Sequence, residues 1–359
     1  MDGIDVALIE SDGEAQLMTG PAATFPYPRD VAGRLRAVVA DLNEAQAPQL
    51  QLERDVTDAH VAAVEAFLRR FAVARERVTL VGLHGQTILH RPRSGLTRQL
   101  CDGARAAAAL GFDVVCDFRS SDVKAGGEGA PLAPLYHAAM AASLERPLMI
   151  LNWGGVGNVT YLGGEGEIIA FDTGPANALI DDFLSARRGL PFDENGTLAA
   201  GGRVDPAALA ILMDDPYFDR PAPKSLDRNH FSARAACVGR LSDADGAATL
   251  SAFTVESTAA ALKHVPQAPE RWLVGGGGRR NPDLIRRLSD RLQVRVEPVE
   301  AIGFDGDSIE AQCFAYLGLR SRRGLPLSLP TTTGVPKPMT GGVFWPRPNM
   351  KRAPARGPA

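Results

Sequence analysis

The residues best suited to chemistry fall in six short groups. Asp172-Thr173-Gly174-Pro175 puts a carboxylate at the carboxyl end of an expected strand, the edge where ligands gather in open α/β sheets. A carboxylate there can act as a general base; the same Asp also suits an N-cap or turn before the next helix. Asn152-Trp153-Gly154-Gly155-Val156-Gly157-Asn158 lies between two apolar runs. Its glycines allow backbone N–H groups to approach an anion, or simply make a turn. Gly275-Gly276-Gly277-Gly278 follows a strand and precedes a helix, a setting for a nucleotide or for a flexible loop. His84-Gly85-Gln86-Thr87, with His90 nearby, offers imidazole, amide and hydroxyl groups to a polyhydroxylated ligand. Arg119 stands between Asp117 and Asp122, an arrangement commoner in structural ion pairs than in substrate sites. Glu310 closes Asp307-Ser308-Ile309-Glu310, which also reads as a capping box.

The elements that must carry these groups alternate. Ile4–Ile9 reads as a strand ending in a turn at Ser11-Asp12-Gly13. Asp30 and Asp58 are expected to cap amphipathic helices, and Val78–Leu83 to form a buried strand. Ala104–Leu110 reads as helix, Val114–Phe118 as strand and 132–144 as helix. Strands at 147–151, 159–162 and 167–171 lead into a helix Asn177–Arg188 stopped by Gly189. Residues 191–232 are loop-rich. Beyond them come a helix over 249–264, a strand 272–274, a helix around Leu284–Leu292, a strand 294–299 and a final helix 309–319. Such alternation predicts an α/β protein.

Composition narrows the function classes. Lys plus Arg number 39 and Asp plus Glu 42 in 359 residues, a net charge of −3, which gives no general electrostatic reason to bind nucleic acid or anionic lipid. No apolar run reaches the ~20 residues of a membrane helix, so neither nucleic acid nor membrane is expected as a partner. Cys101, Cys116, Cys237 and Cys313 are scattered, without a CxxC pair; reduced thiols and a cytoplasmic location are expected.

Taken in order, His84-Gly85-Gln86-Thr87, Asp117-Phe118-Arg119, Gly126-Gly127-Glu128-Gly129-Ala130-Pro131, Asn152-x-Gly154-Gly155-Val156-x-Asn158, Phe171-Asp172-Thr173-Gly174-Pro175-x-Asn177, Pro223-Lys224-Ser225, the glycine run with Asn281, and Asp307-x-x-Glu310-Ala311 resemble the anhydro-N-acetylmuramic acid kinases. The resemblance covers about residues 1–320. It implies the two-lobed fold of the actin-like ATPases and sugar kinases, each lobe a mixed sheet with flanking helices: 1–128 on the sugar side, 129–325 on the nucleotide side, and 326–359 a segment ending in a frayed tail. It also implies ATP with Mg²⁺, a homodimer, and a cleft for ATP and sugar. The implied reaction opens 1,6-anhydro-N-acetylmuramic acid with water and phosphorylates O6, yielding N-acetylmuramic acid 6-phosphate for cell-wall recycling.

The resemblance makes Asp172 the catalytic base and Glu310 a second acid near the attacking water. His84, Gln86, Thr87, Arg119 and Asn177 would face the sugar. Asp2, Gly3, Asn152, Gly154, Gly155, Asn158, Gly275, Gly276, Gly277 and Asn281 would face nucleotide and phosphates, with Asp2 able to reach Mg²⁺. The family opens with Gly-Thr-Ser-Met-Asp-Gly-Ile-Asp, whereas this chain begins at that Met. An absent first strand and half phosphate loop, with an unpaired sheet edge, are therefore expected. A feeble kinase-fold remnant and a kinase for another hexose are the alternative readings. Cys101, Lys124 and Asp227 depart from the usual pattern, where Gly and Ala occupy the first two places.

Overall fold

The computed structural model describes residues 3–348. In chain order its strands are β1 (Ile4–Ser11), β2 (Leu17–Phe25), β3 (Val81–Gly82), β4 (Gln86–Arg91), β5 (Leu96–Leu100), β6 (Val114–Cys116), β7 (Leu148–Trp153), β8 (Val156–Leu162), β9 (Ile168–Pro175), β10 (Arg271–Gly275), β11 (Arg295–Pro298) and β12 (Val343–Trp345). The chain forms two compact units. One gathers the chain up to Gly129, Glu310–Leu327 and the segment from Met339 on; the other comprises Ala130–Ile309 and Ser328–Pro338. The last long helix, Ile309–Arg322, thus joins the first unit almost whole, although its place in the chain falls among residues assigned by sequence to the C-terminal lobe.

The second unit is the α/β sandwich that alternation predicts. Its five-stranded mixed sheet has the order β11-β10-β7-β8-β9. β10 runs parallel to β7 and β11, whereas β7, β8 and β9 form an antiparallel meander. Met149, Leu151, Trp153, Val159, Tyr161, Phe171 and Trp272 share one apolar cluster with Leu284 and Leu288 of the helix Pro282–Leu292. Full burial of such side chains contributes about 1.5–3 kcal/mol each, so β7 and β10 are anchored along their length.

The first unit departs from a single mixed sheet. It holds a β1–β2 hairpin, a β4–β5 hairpin and a small sheet β12-β6-β3. Among the described residues β1 pairs with β2, and β3 pairs with β6; the remaining edges of β1 and β3 both border one cavity. β2 (LMTGPAATF) carries Gly and Pro and no clean alternation, so its pairing with β1 rather than its own pattern makes it a strand. The expected strand Val78–Leu83 shrinks to two half-buried residues.

The two expected caps are also revised. Asp58 lies inside a longer helix, Leu50–Arg70, because Leu52 and Val56 extend the buried stripe upstream; its carboxylate takes two hydrogen bonds from Arg105 at 2.6 and 2.7 Å. The helix Arg29–Ala40 starts behind Pro28, which stands at the N-cap, so Asp30 falls in its first turn. There its charge still favours the helix dipole. Of the C-terminal segment, Val343–Trp345 is ordered as β12 against β6; the expected tail beyond residue 348 lies outside the described residues, as does Asp2. Among the described residues no helix is long and apolar enough to cross a membrane.

Gly82 marks where the helix Ile309–Arg322 crosses β3. A Cβ there would stand 2.1 Å from the Phe314 carbonyl oxygen, closer than any real contact. Gly82→Ala is expected to destabilise the protein by about 2–4 kcal/mol, read as a lowered urea midpoint. An unchanged midpoint would mean that this crossing is not tight.

Candidate active site

In the second unit the two glycine turns sit at the carboxyl ends of neighbouring parallel strands, where Gly275 of β10 faces Asn152 of β7. Their contact depends on missing side chains. Gly276 has φ +71°, and a Cβ on it would lie 2.5 Å from Asn152 Oδ1 and 2.7 Å from the Trp153 carbonyl oxygen. Gly277 and Gly278 open a short 3₁₀ turn rather than an α-helix. The α-helix begins only at Pro282, capped by Asn281, whose Oδ1 accepts from the Asp283 and Leu284 N–H groups at 3.1 Å. Arg279, nearly buried, pins the turn by donating to the Gly276 carbonyl at 3.0 Å and pairing with Glu300 and Asp307.

Asn177 belongs to this cluster. Its Nδ2 donates to the carbonyls of Trp153 and Gly154 at 2.9 and 3.0 Å, and its backbone N–H reaches Gly154 as well. In this structure the side chain holds the Gly154 turn, and it lies in a different unit from His84, Gln86, Thr87 and Arg119.

Asp172 stands on β9 opposite Asn158 of β8, one strand away from the same turn and only partly buried. Its Oδ2 accepts the Leu226 N–H at 2.8 Å, its own N–H donates to the Lys224 carbonyl at 2.9 Å, and the Tyr217 hydroxyl donates to its carbonyl at 2.6 Å. Asp172, the Gly154–Asn158 turn and the Gly275–Gly277 turn therefore share one end of one sheet. This is the arrangement needed for a base beside an anion-binding backbone.

In the first unit a cavity of about 570 Å³ is lined by Gly3, His84, Gln86, Thr87, Arg119 and Glu310, and on its apolar side by Val64, Phe67 and Leu80, a size suited to a small molecule. Arg119 Nε donates to His84 Nε2 at 3.0 Å, and its Nη1 to the Gly129 carbonyl at 2.8 Å. His84 Nδ1 lies 3.1 Å from the Gly85 carbonyl. The imidazole is therefore neutral, with the proton on Nδ1. Its ring stacks on Phe314 at 4.2 Å. Burial first, then the Arg119 charge, hold His84 down to about 3. Burial also lowers Arg119, and the Glu310 carboxylate opposes that shift. Of the acids flanking Arg119, Asp122 Oδ1 accepts the Gly129 N–H and Asp117 Oδ1 the Ser120 N–H, and the Asp122 charge favours the protonated guanidinium. The Asp307 carboxylate pairs with Arg279 and Arg280.

Sequence reasoning gave no role to Tyr217, Lys224, Arg279 or Phe314. Lys224 had a signal, since it sits in the quoted Pro223-Lys224-Ser225. Phe314, one turn beyond Glu310, had only helical spacing.

Glycine turns and a carboxylate at the end of one sheet, and a polar pocket in a separate α/β unit, define a protein built for group transfer to a small molecule. The comparisons give the particular family. The model for anhydro-N-acetylmuramic acid kinase matches residues 1–347. The kinase of that name from Rhodospirillum rubrum is 51% identical over 96% of this chain and 92% of its own length. The one from Acidiphilium cryptum is 52% identical over 95% and 94%. The chain belongs to the anhydro-N-acetylmuramic acid kinase family. A ROK family glucokinase from Streptomyces griseus, solved with glucose and AMPPNP, aligns over 89% of this chain and 97% of its own at 13% identity with a TM-score of 0.39, a likeness too slight to carry an argument.

The histidines make stability depend on pH. Burial lowers His84 to about 3 and His137 to about 4, whereas an unfolded histidine protonates near 6.5. Between those values the unfolded chain binds more protons, so stability falls as pH drops from ~6.5 toward ~4. The urea midpoint is expected to be lower at pH 5 than at pH 7, and His137→Gln to shrink that difference. An undiminished difference in the variant would remove His137 from this account.

Proposed function

We propose that this protein is an ATP-dependent sugar kinase that hydrates and phosphorylates 1,6-anhydro-N-acetylmuramic acid, giving N-acetylmuramic acid 6-phosphate and ADP in cytoplasmic cell-wall recycling. The observation that carries the reading is the family match over residues 1–347, and the carboxylate held beside two glycine turns agrees with it.

Asp172 takes a proton from the water that attacks the anomeric carbon. The bond from that carbon to O6 breaks, its electron pair stays on O6, and O6 attacks the γ-phosphorus. The γ-phosphoryl bond to ADP breaks in turn. Positioning and charge neutralisation dominate such transfers. Glu310 acts as the second acid. His84, with its lone pair on Nε2 engaged by Arg119, orients the guanidinium toward sugar oxygens; Gln86 and Thr87 add hydrogen bonds. The backbone at Gly154, Gly155 and Gly275–Gly277, with Asn152 and Asn158, receives phosphates and adenosine. Mg²⁺ bound with the nucleotide would neutralise phosphate charge; among the described residues no cluster of three His, Cys, Asp or Glu side chains is positioned to hold a metal.

Incubation with ATP, Mg²⁺ and the anhydro sugar should give a product heavier by one water and one phosphoryl group (HPO₃), read by mass spectrometry. Phosphorylation of a plain hexose instead would favour the hexose-kinase alternative, and no phosphosugar at all the remnant. Asp172→Asn should cut kcat by ~10² or more with both KM values little changed; near-normal turnover would remove Asp172 from the role. Arg119→Lys, which loses the donor to His84 and the planar fork, should raise the sugar KM by about tenfold and leave the ATP KM alone. Equal changes in both would argue against a sugar role.

A further inference from the structure

We propose that residues 217–226 are a clamp that positions the Asp172 carboxylate, with Lys224 as its pin; this rests on Asp172 being the base. β9 is an edge strand of its sheet. A residue's N–H and C=O point to the same edge of a strand, so Asp172 presents both to whatever lies beyond β9. That place is taken by this segment. The Lys224 carbonyl accepts the Asp172 N–H at 2.9 Å, the Tyr217 hydroxyl donates to the Asp172 carbonyl at 2.6 Å, and the Leu226 N–H holds Oδ2 at 2.8 Å. One segment therefore grips Asp172 by backbone and side chain together.

Something must hold the segment in that shape, since its ends are joined by no ladder of their own. Lys224 does so. Only 7% exposed, its Nζ folds back to donate to the Tyr217 and Phe218 carbonyls at 3.0 and 3.2 Å. It lies 4.7 Å from the Tyr217 ring centre and 5.8 Å from that of Phe171, the residue before Asp172, with His264 Nε2 at 3.1 Å. A buried ammonium is costly unless hydrogen-bonded, and here its acceptors are the carbonyls that set the position of Tyr217. Lys224 is a positioning residue: it acts on the base through Tyr217 and Leu226.

The test is a pair of double-mutant cycles with Asp172→Asn. Lys224→Met should lower kcat about tenfold, with the KM for sugar and for ATP within about twofold of the parent. Lys224→Arg should recover part of that loss. In the Asp172→Asn background, Lys224→Met should change kcat by less than twofold, because no base remains to be positioned. Tyr217→Phe, which removes one hydroxyl and leaves the ring, should behave alike with a loss of about three- to fivefold, and decides the matter if Lys224→Met does not fold. The same fold-loss with and without the Asp172 carboxylate, or a change confined to KM, would overturn the clamp. Failure of Asp172→Asn alone to reduce kcat would instead overturn the assignment of the base.

Discussion

An edge strand needs a partner, and that requirement organises the chemistry of the second unit. β9 ends the order β11-β10-β7-β8-β9, so the backbone beside Asp172 has no further strand to bond. The segment around Lys224 supplies those bonds and, through the Leu226 N–H, the bond that orients the carboxylate. Edge satisfaction and side-chain orientation are thus achieved by one piece of chain. A carboxylate bonded in this way keeps one orientation, the preorganisation that the proposed general-base role of Asp172 calls for.

Close backbone approach is the second constraint. Gly276 fits against Asn152 and Trp153 only because it has no Cβ, and Trp153 is itself locked by the hydrogen bond from its indole to Thr258 at 3.0 Å. Asn177 and Arg279 then tie each turn from its outer side. The turns are held by hydrogen bonds to named side chains rather than left as slack glycine loops. Such anchoring fixes the backbone of both turns, as the proposed phosphate-binding role requires.

The first unit handles its polar groups by a different route. Arg119 and His84 neutralise one another's demands: the guanidinium gains an acceptor, and the imidazole is kept neutral with one nitrogen committed. Phe314 lies beside both, stacked on His84 and 5.7 Å from the guanidinium carbon, so the pair is held against an aromatic wall. The His84 imidazole therefore brings fixed hydrogen-bond geometry to the cavity rather than a charge that changes near neutral pH.

Much of this was legible in the residues. Apolar runs ending in glycine marked β7 and β10 with their turns, Asp172 stood where a strand ends, and the helix Asn177–Arg188 with its Gly189 stop came out as read, because these are local patterns of burial period and φ preference. The ordered motifs were enough to identify the family. What they could not convey depends on partners far along the chain. β2 is a strand because β1 lies beside it, the helix Leu50–Arg70 runs through an apparent N-cap because Leu52 and Val56 upstream are buried, and Ile309–Arg322 joins the first unit although its neighbours in sequence join the second. Asn177 turned out to hold a glycine turn, and Lys224 to bond the Tyr217 and Phe218 carbonyls in the segment beside Asp172. The reason is the same in each case: residue type and spacing determine which groups are available, whereas hydrogen-bond partners and burial are settled only when distant segments meet.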